Sequence, residues 1–158
     1  MIADTTVRLA TLADAAEIAS MSRDYIERGL PWGWTGNRVA KAIDNPDTNV
    51  AVVGPRGALV AFGIMFYAED DAHLLLFAVR RSSRRRGIGT AVLAWLEAVA
   101  RTAGARRIRA EARLDNLSAR AFYRERGYVE RGIRQGMYGG SADGVHLEKW
   151  LRGDGPPH

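Results

Sequence analysis

There is no cysteine anywhere in the 158 residues. That one absence excludes a disulfide framework, a thiolate nucleophile and thiolate-bound zinc. Histidine is scarce as well. His73, His146 and His158 stand far apart, without the short spacings by which histidines share a metal ion, so no metal is expected. Long apolar runs are missing too; none approaches the ~20 residues that a membrane-spanning helix needs. The opening "MIADTTVRLATLADAAEIA" has no basic segment leading into an apolar block, so no secretory leader is read there. The expectation is a cytoplasmic protein that relies on an ordinary apolar core. A chain of 158 residues can bury one.

What the chain does have is positive charge, +5 net. An excess of cations suits a polyanionic partner, either a nucleic acid or a phosphorylated small molecule. Composition does not separate the two, but position narrows the choice. The stretch "RRSSRRR" (80–86) is almost all arginine, and Gly87-Ile88-Gly89 follows directly at the mouth of a helix-patterned segment.

Periodicity gives the plan. "TTVRLA" (5–10) suits a first strand. Residues 14–28 repeat apolar positions at helical spacing, with Asp14 placed to cap and Gly29 past the end. A loop with two tryptophans (29–37) leads to a short helix from about Asn37 to Ile43. Three strands are expected at 49–54, 58–67 and 72–79, joined by hairpin turns; "AEDD", with Glu69, Asp70 and Asp71, is one of them. Ile88, Val92, Trp95, Leu96 and Val99 mark one stripe of the helix after the arginines, with Glu97 and Arg101 on its other side. "RIRAEAR" (107–113) alternates strictly. A helix capped by Asn116 and two last strands close the domain, read as residues 1–152, and the tail 153–158 is expected to be disordered. The sum is an α+β fold with a mixed, mostly antiparallel sheet of about seven strands. The strand–helix–strand crossover over 72–113 makes one pair parallel.

A helix N-terminus presents unpaired N–H groups and the positive end of the helix dipole. Glycines beside it let the backbone approach a bulky anion, and arginines add charge-assisted donors. A pyrophosphate fits such a place. No G-x-x-x-x-G-K-[ST] run exists here, which excludes a P-loop. A G-x-G-x-x-G fingerprint fails because Val92 stands at its third position.

Arg84-Arg85-Arg86-Gly87-Ile88-Gly89, following an apolar strand, resembles the R-x-x-G-x-G loop of the GNAT superfamily of acyl-CoA-dependent N-acetyltransferases. Further along, "NLSARAFYRERGY" (116–128) resembles that family's N-x-x-A-x-x-x-Y-x-x-x-G-[FY] segment, with Asn116, Ala119, Tyr123, Gly127 and Tyr128 in register. The resemblance covers roughly residues 5–150. It implies a GNAT-like fold with helices on both sheet faces and a splayed parallel strand pair. It also implies acetyl-CoA as co-substrate, its pantetheine arm along the strand edge at Phe77, Ala78 and Val79. The loop 84–89 with Thr90 would take the pyrophosphate, and Asn116 and Ala119 would lie on the cofactor side. The implied reaction is direct attack of an amine on the thioester, with Tyr123 protonating the departing thiolate. Glu111 and Asn116 follow the E-x-R-x-x-N spacing of ribosomal-protein N-terminal alanine acetyltransferases, which makes Glu111 the implied base. Arg109 and Arg113 share its strand face, so the other reading of Glu111 is a cross-strand ion pair.

Trp32, Trp34 and Tyr138 are the candidates for an acceptor pocket, and His73 is expected in the core. The acceptor is either a small-molecule amine or a protein N-terminus, and a homodimer is a possible assembly. The competing readings are a catalytically silent CoA-sensing protein of the same fold and a nucleic-acid-binding module. The sequence lacks the interleaved aromatics that single-strand binding uses, so no nucleic acid is expected.

Overall fold

The computed structural model describes residues 6–84, 86–136 and 143–151. Among these, the elements in chain order are β1 (Val7–Leu9), α1 (Ala15–Tyr25), α2 (Gly36–Asp44), β2 (Thr48–Val53), β3 (Ala61–Ala68) and β4 (Asp71–Val79). They continue as α3 (Ile88–Thr102), β5 (Arg107–Arg113), α4 (Leu117–Glu125), β6 (Val129–Arg134) and β7 (Gly144–Trp150). The strand order is β1-β2-β3-β4-β5-β7-β6. The β1–β2, β2–β3, β5–β7 and β6–β7 ladders are antiparallel, and β4 runs parallel to β5. That parallel ladder joins Asp71–Leu74 to Arg107–Ala110, the first four residues of each strand.

The chain divides into two compact units, Met1–Phe66 with Leu75–Val99, and Tyr67–Leu74 with Ala100–His158. In the first, side chains alternate about the sheet because strand periodicity is two. Phe62 and Ile64 of β3 join Val50, Val52, Leu76 and Ala78 against Ile18, Ala19 and Met21 of α1 and Val39 of α2. Gly63 faces the other way, where α3 packs so closely that an added Cβ would stand 2.7 Å from Leu96 Cδ1. Helices therefore cover both faces of the sheet in this unit. In the second unit, Ile108, Ala110 and Ala112 of β5 and Val145 and Leu147 of β7 are buried together with Tyr123 and Tyr128.

Several boundaries differ from the periodicity reading. Asp14 occupies the N-cap position of α1 as expected, but its side chain does not bond the first turn of that helix; its carboxylate reaches back to the Thr11 amide (2.8 Å) and pairs with Arg8 (2.9 Å). The helix ends at Tyr25, because the Ile26 and Glu27 amides both close on the Ser22 carbonyl (2.9 and 2.8 Å). The β2–β3 turn is longer than a tight hairpin, and β3 starts only at Ala61. The buried stripe of α3 is also rotated from the expected one. Leu93, Glu97 and Ala100 are buried with Ile88, Val92 and Leu96, while Trp95 and Val99 are half-buried.

Candidate functional site

In the first unit, β4 ends at Val79 and a turn of 3-10 helix, Arg81–Ser83, leads to α3. The local arginines divide into two roles. Arg80 holds the loop from within: Nε donates to the Leu59 carbonyl (2.9 Å) and Nη2 to Glu17 (3.3 Å). Arg84 also bonds backward, from Nε to the Val79 carbonyl (3.0 Å), with its guanidinium 5.7 Å from the Tyr25 ring. Arg81 and Arg86 are exposed. Gly87 adopts a φ of 76°, a conformation that L side chains rarely take, and turns the chain into α3. The Ala91 N–H bonds the Gly87 carbonyl (3.0 Å), and the amides of Ile88 and Gly89 precede that bond at the helix start. Ile88 and Gly89 are buried and Thr90 is exposed. Ala78 is buried, and Phe77 and Val79 are half-buried beside it on β4. Arg85 lies outside the described residues.

The tryptophan loop belongs to this unit as well. Glu27 gathers it, accepting from the amides of Gly33 (2.6 Å) and Trp34 (3.1 Å) and from Ser22 Oγ (2.7 Å). Trp34 packs on the α1–α2 core with Arg38 over its ring at 3.9 Å, which makes it an anchor. Trp32 is 42% exposed, with Arg23 5.3 Å away. Tyr138 falls outside the described residues.

In the second unit, α4 starts where the Asn116 side chain accepts the Ala119 amide (3.0 Å). Asn116 is thus an N-cap, whatever else it touches. Tyr123 is buried near the end of that helix, with its ring centroid 5.7 Å from Phe122 and 5.4 Å from Tyr128.

The other feature of this unit is a charged sheet face. Alternation on β5 sends Arg107, Arg109, Glu111 and Arg113 to the side opposite its buried alanines. Cross-strand register adds Asp71 and His73 from β4, and His146, Glu148 and Trp150 from β7. His73 therefore sits half-buried on this polar face beside Arg109 and is not a core histidine. Asp71 is the first residue of β4 and leaves the turn to Glu69 and Asp70. Most of these charges are matched. Asp71 binds Arg107 (3.0 Å) and Arg106 (3.4 Å). Glu148 binds Arg107 (3.0 Å) and Arg131 (2.8 Å) and accepts the Trp150 indole N–H (3.2 Å). Burial works against ionising either carboxyl, but these hydrogen bonds and charges outweigh it and hold both below the usual carboxylate range. Burial pushes both imidazoles down, and Arg109 adds to the effect. Glu111 is exposed opposite His146 and forms no ion pair among the described residues, so the alternative reading, a cross-strand pair with an arginine, is not seen there.

Sequence reasoning singled out Arg109 and Arg113 only as neighbours of Glu111 and passed over His146 and Glu148. The alternation in "VHLEKW" was the available signal, because it places His146, Glu148 and Trp150 on one face. Among the described residues no group of three or more His, Asp and Glu side chains is arranged to hold a metal ion. Among the described residues no helix is long and apolar enough to cross a membrane.

The model of the acetyltransferase (GNAT) family matches residues 16–128. Solved structures share the fold. Ard1 from Thermoplasma volcanium superposes with a TM-score of 0.80 at 23% identity, covering 93% of this chain and 97% of that one. The ribosomal-protein-S18-alanine N-acetyltransferase from Escherichia coli gives 0.75 at 23% identity, covering 97% and 99%. The PaiA N-acetyltransferase from Thermoplasma acidophilum, solved in complex with coenzyme A, gives 0.78 at 16% identity, covering 92% and 98%.

Proposed function

This chain belongs to the GNAT acetyltransferase family, and from that premise we propose that it moves an acetyl group from acetyl-CoA to an amine. Residues 1–152 form the acetyltransferase domain on this reading. The observation that carries it is the turn at Gly87, with a φ of 76°, which opens the 15-residue helix α3 beside the exposed Arg81 and Arg86 inside the family-matched stretch. Amides at the helix start, the helix dipole and arginine forks suit the two phosphates of the coenzyme's pyrophosphate.

The rest follows from the chemistry. The acceptor's nitrogen attacks the thioester carbonyl, a C–N bond forms, and the C–S bond breaks as the thiolate leaves. The amine must arrive neutral, and the thiolate takes up a proton. Glu111 is the base that takes the ammonium proton; its carboxylate is exposed and is not held in an ion pair. Tyr123 is the acid; its buried ring, packed beside Phe122 and Tyr128, holds the hydroxyl in one orientation. A backbone N–H of the Phe77–Val79 stretch serves the carbonyl oxygen as it becomes negative. The acceptor is a small-molecule amine or a protein N-terminus, and the protein works in the cytoplasm.

Thermal unfolding with acetyl-CoA, and with NADH, ATP and a short DNA duplex as controls, tests the reading. A ligand at a hundred times its Kd adds about 2.7 kcal/mol, a shift of several degrees at this size. The rise is expected with acetyl-CoA, together with thiol release when an amine panel is added. A rise with DNA alone would sink the proposal. Acetyl-CoA stabilisation without turnover of any amine or peptide would favour a silent, CoA-sensing protein.

A further inference from the structure

Of the four charged side chains of β5 itself, one cation and one anion enter no ion pair among the described residues. Asp71 and Glu148 are taken by Arg106, Arg107 and Arg131, and Arg113 lies 3.4 Å from Asp115. Arg109 and Glu111 enter no ion pair among the described residues, with each other or with anything else. Arg109 carries a cost for this, because its Nε is buried without a hydrogen-bond partner. Its direct partner across β7 is Glu148, whose oxygens are already bonded elsewhere.

Two fixed, opposite charges standing two residues apart on one strand face are about 7 Å from Cα to Cα. That is the complement of a small zwitterion. We propose that the acceptor is an amino-carboxylate, such as a free amino acid, with its ammonium at Glu111 and its carboxylate on the fork of Arg109. This rests on the acetyltransferase reading above. A guanidinium binds a carboxylate in two parallel hydrogen bonds, a geometry that a lysine ammonium does not offer. His73 stands beside Arg109 in register and His146 beside Glu111. Both imidazoles are biased toward the neutral form, so they line the site without adding a second positive charge.

Other acceptor classes fit less well. The N-terminus of a peptide would bring a neutral carbonyl group to Arg109 and leave its charge unmatched. A diamine would bring a second cation there. A phosphate dianion would meet Glu148 and Asp71 on the same face.

The test uses acetyl-CoA with free amino acids and the matching amino acid amides, which differ only in the carboxylate, and reads thiol release. The wild-type protein should prefer the free acids at least tenfold in kcat/KM, mainly through KM; tenfold corresponds to about 1.4 kcal/mol. Arg109→Gln should abolish that preference, and Arg109→Lys should restore part of it. In both variants the acetyl-CoA thermal shift should equal the wild-type shift, a readout of folding and cofactor binding that a merely structural role for Arg109 would disturb. Equal or better rates with the amides, or a preference that survives Arg109→Gln, would overturn the inference. So would failure of every free amino acid to react while acetyl-CoA still stabilises the protein, and then the acetyltransferase reading would stand. Loss of the acetyl-CoA response in the wild type would take down both.

Discussion

Glu111 and His146 are direct partners across the β5–β7 ladder, and the His146 Nδ1 is buried without a hydrogen-bond partner. Burial pushes this imidazole below its ordinary value of 6.5, and Arg109 and Arg134 push the same way, against Glu148 and Glu111. His73 is lowered by burial, Arg109 and Arg107, against Asp71 and Glu111. A histidine lowered in the folded state takes its proton more readily when unfolded. Stability is therefore complete above the unfolded value of about 6.5 and falls as pH drops beneath it. Asp71 and Glu148 are lowered too, but they lose their contributions only below the unfolded carboxylate range, in a separate window. Melting curves should show Tm declining as pH falls from 7.5 to 5.5. The decline should be shallower in His146→Gln and His73→Gln. An unchanged slope in both variants would count against this account.

Glu148 is the hub of the same face. It is 7% exposed and satisfies Arg107, Arg131 and Trp150 at once. Glu148→Gln removes the charge but leaves the two guanidinium groups in place, which is the costly way to break a partly buried network. The expected loss is about 2–4 kcal/mol, a fall in Tm of roughly 5–10 °C. Arg131→Gln should cost less, because that side chain is 43% exposed. Denaturant titration of the two variants checks the order.

How legible each part was in the sequence follows from how local its cause is. The alternation of "RIRAEAR" fixes β5 and its two faces, because strand periodicity depends on nothing else. The Gly87 turn was legible for the same reason: a glycine before a helical stripe has few other uses. Asp14 stands at the expected N-cap position of α1, but its side chain bonds Thr11 and Arg8, and the Arg8 partner comes from another element that local spacing does not contain. The stripe of α3 differs at Leu93, Glu97 and Ala100, which are buried, and at Trp95 and Val99, which are half-buried; which side of the helix meets the sheet is set by tertiary packing and is invisible in the helix's own pattern. The matched and unmatched charges on the polar face depend on the β4–β5 and β5–β7 registers, which no local spacing contains.

Tyr123 separates packing from chemistry. Its ring contacts with Phe122 and Tyr128 survive removal of the hydroxyl. Tyr123→Phe should therefore cost about 1 kcal/mol of stability or less and leave the acetyl-CoA shift intact. If the phenol delivers the proton to the thiolate, kcat should fall by about a hundredfold. An unchanged kcat would reduce Tyr123 to a packing residue.

Gly87 and Gly57 together test the turn before α3. Both have left-handed φ values, 76° and 88°, and in both an added Cβ would have open space around it. Alanine at either position is therefore strained by backbone conformation alone, at about 1–2 kcal/mol. Gly57 lies in the β2–β3 turn, where its amide donates to Glu17 (3.1 Å). The two variants should lose similar stability without ligand. Only Gly87→Ala should weaken acetyl-CoA, by roughly tenfold in Kd, because relief of the strain there re-aims the first amides of α3, on which the pyrophosphate depends. Isothermal titration of both variants gives the answer. Equal weakening would mean that strain acts through general stability; no weakening in either would mean that the phosphates bind somewhere other than the start of α3.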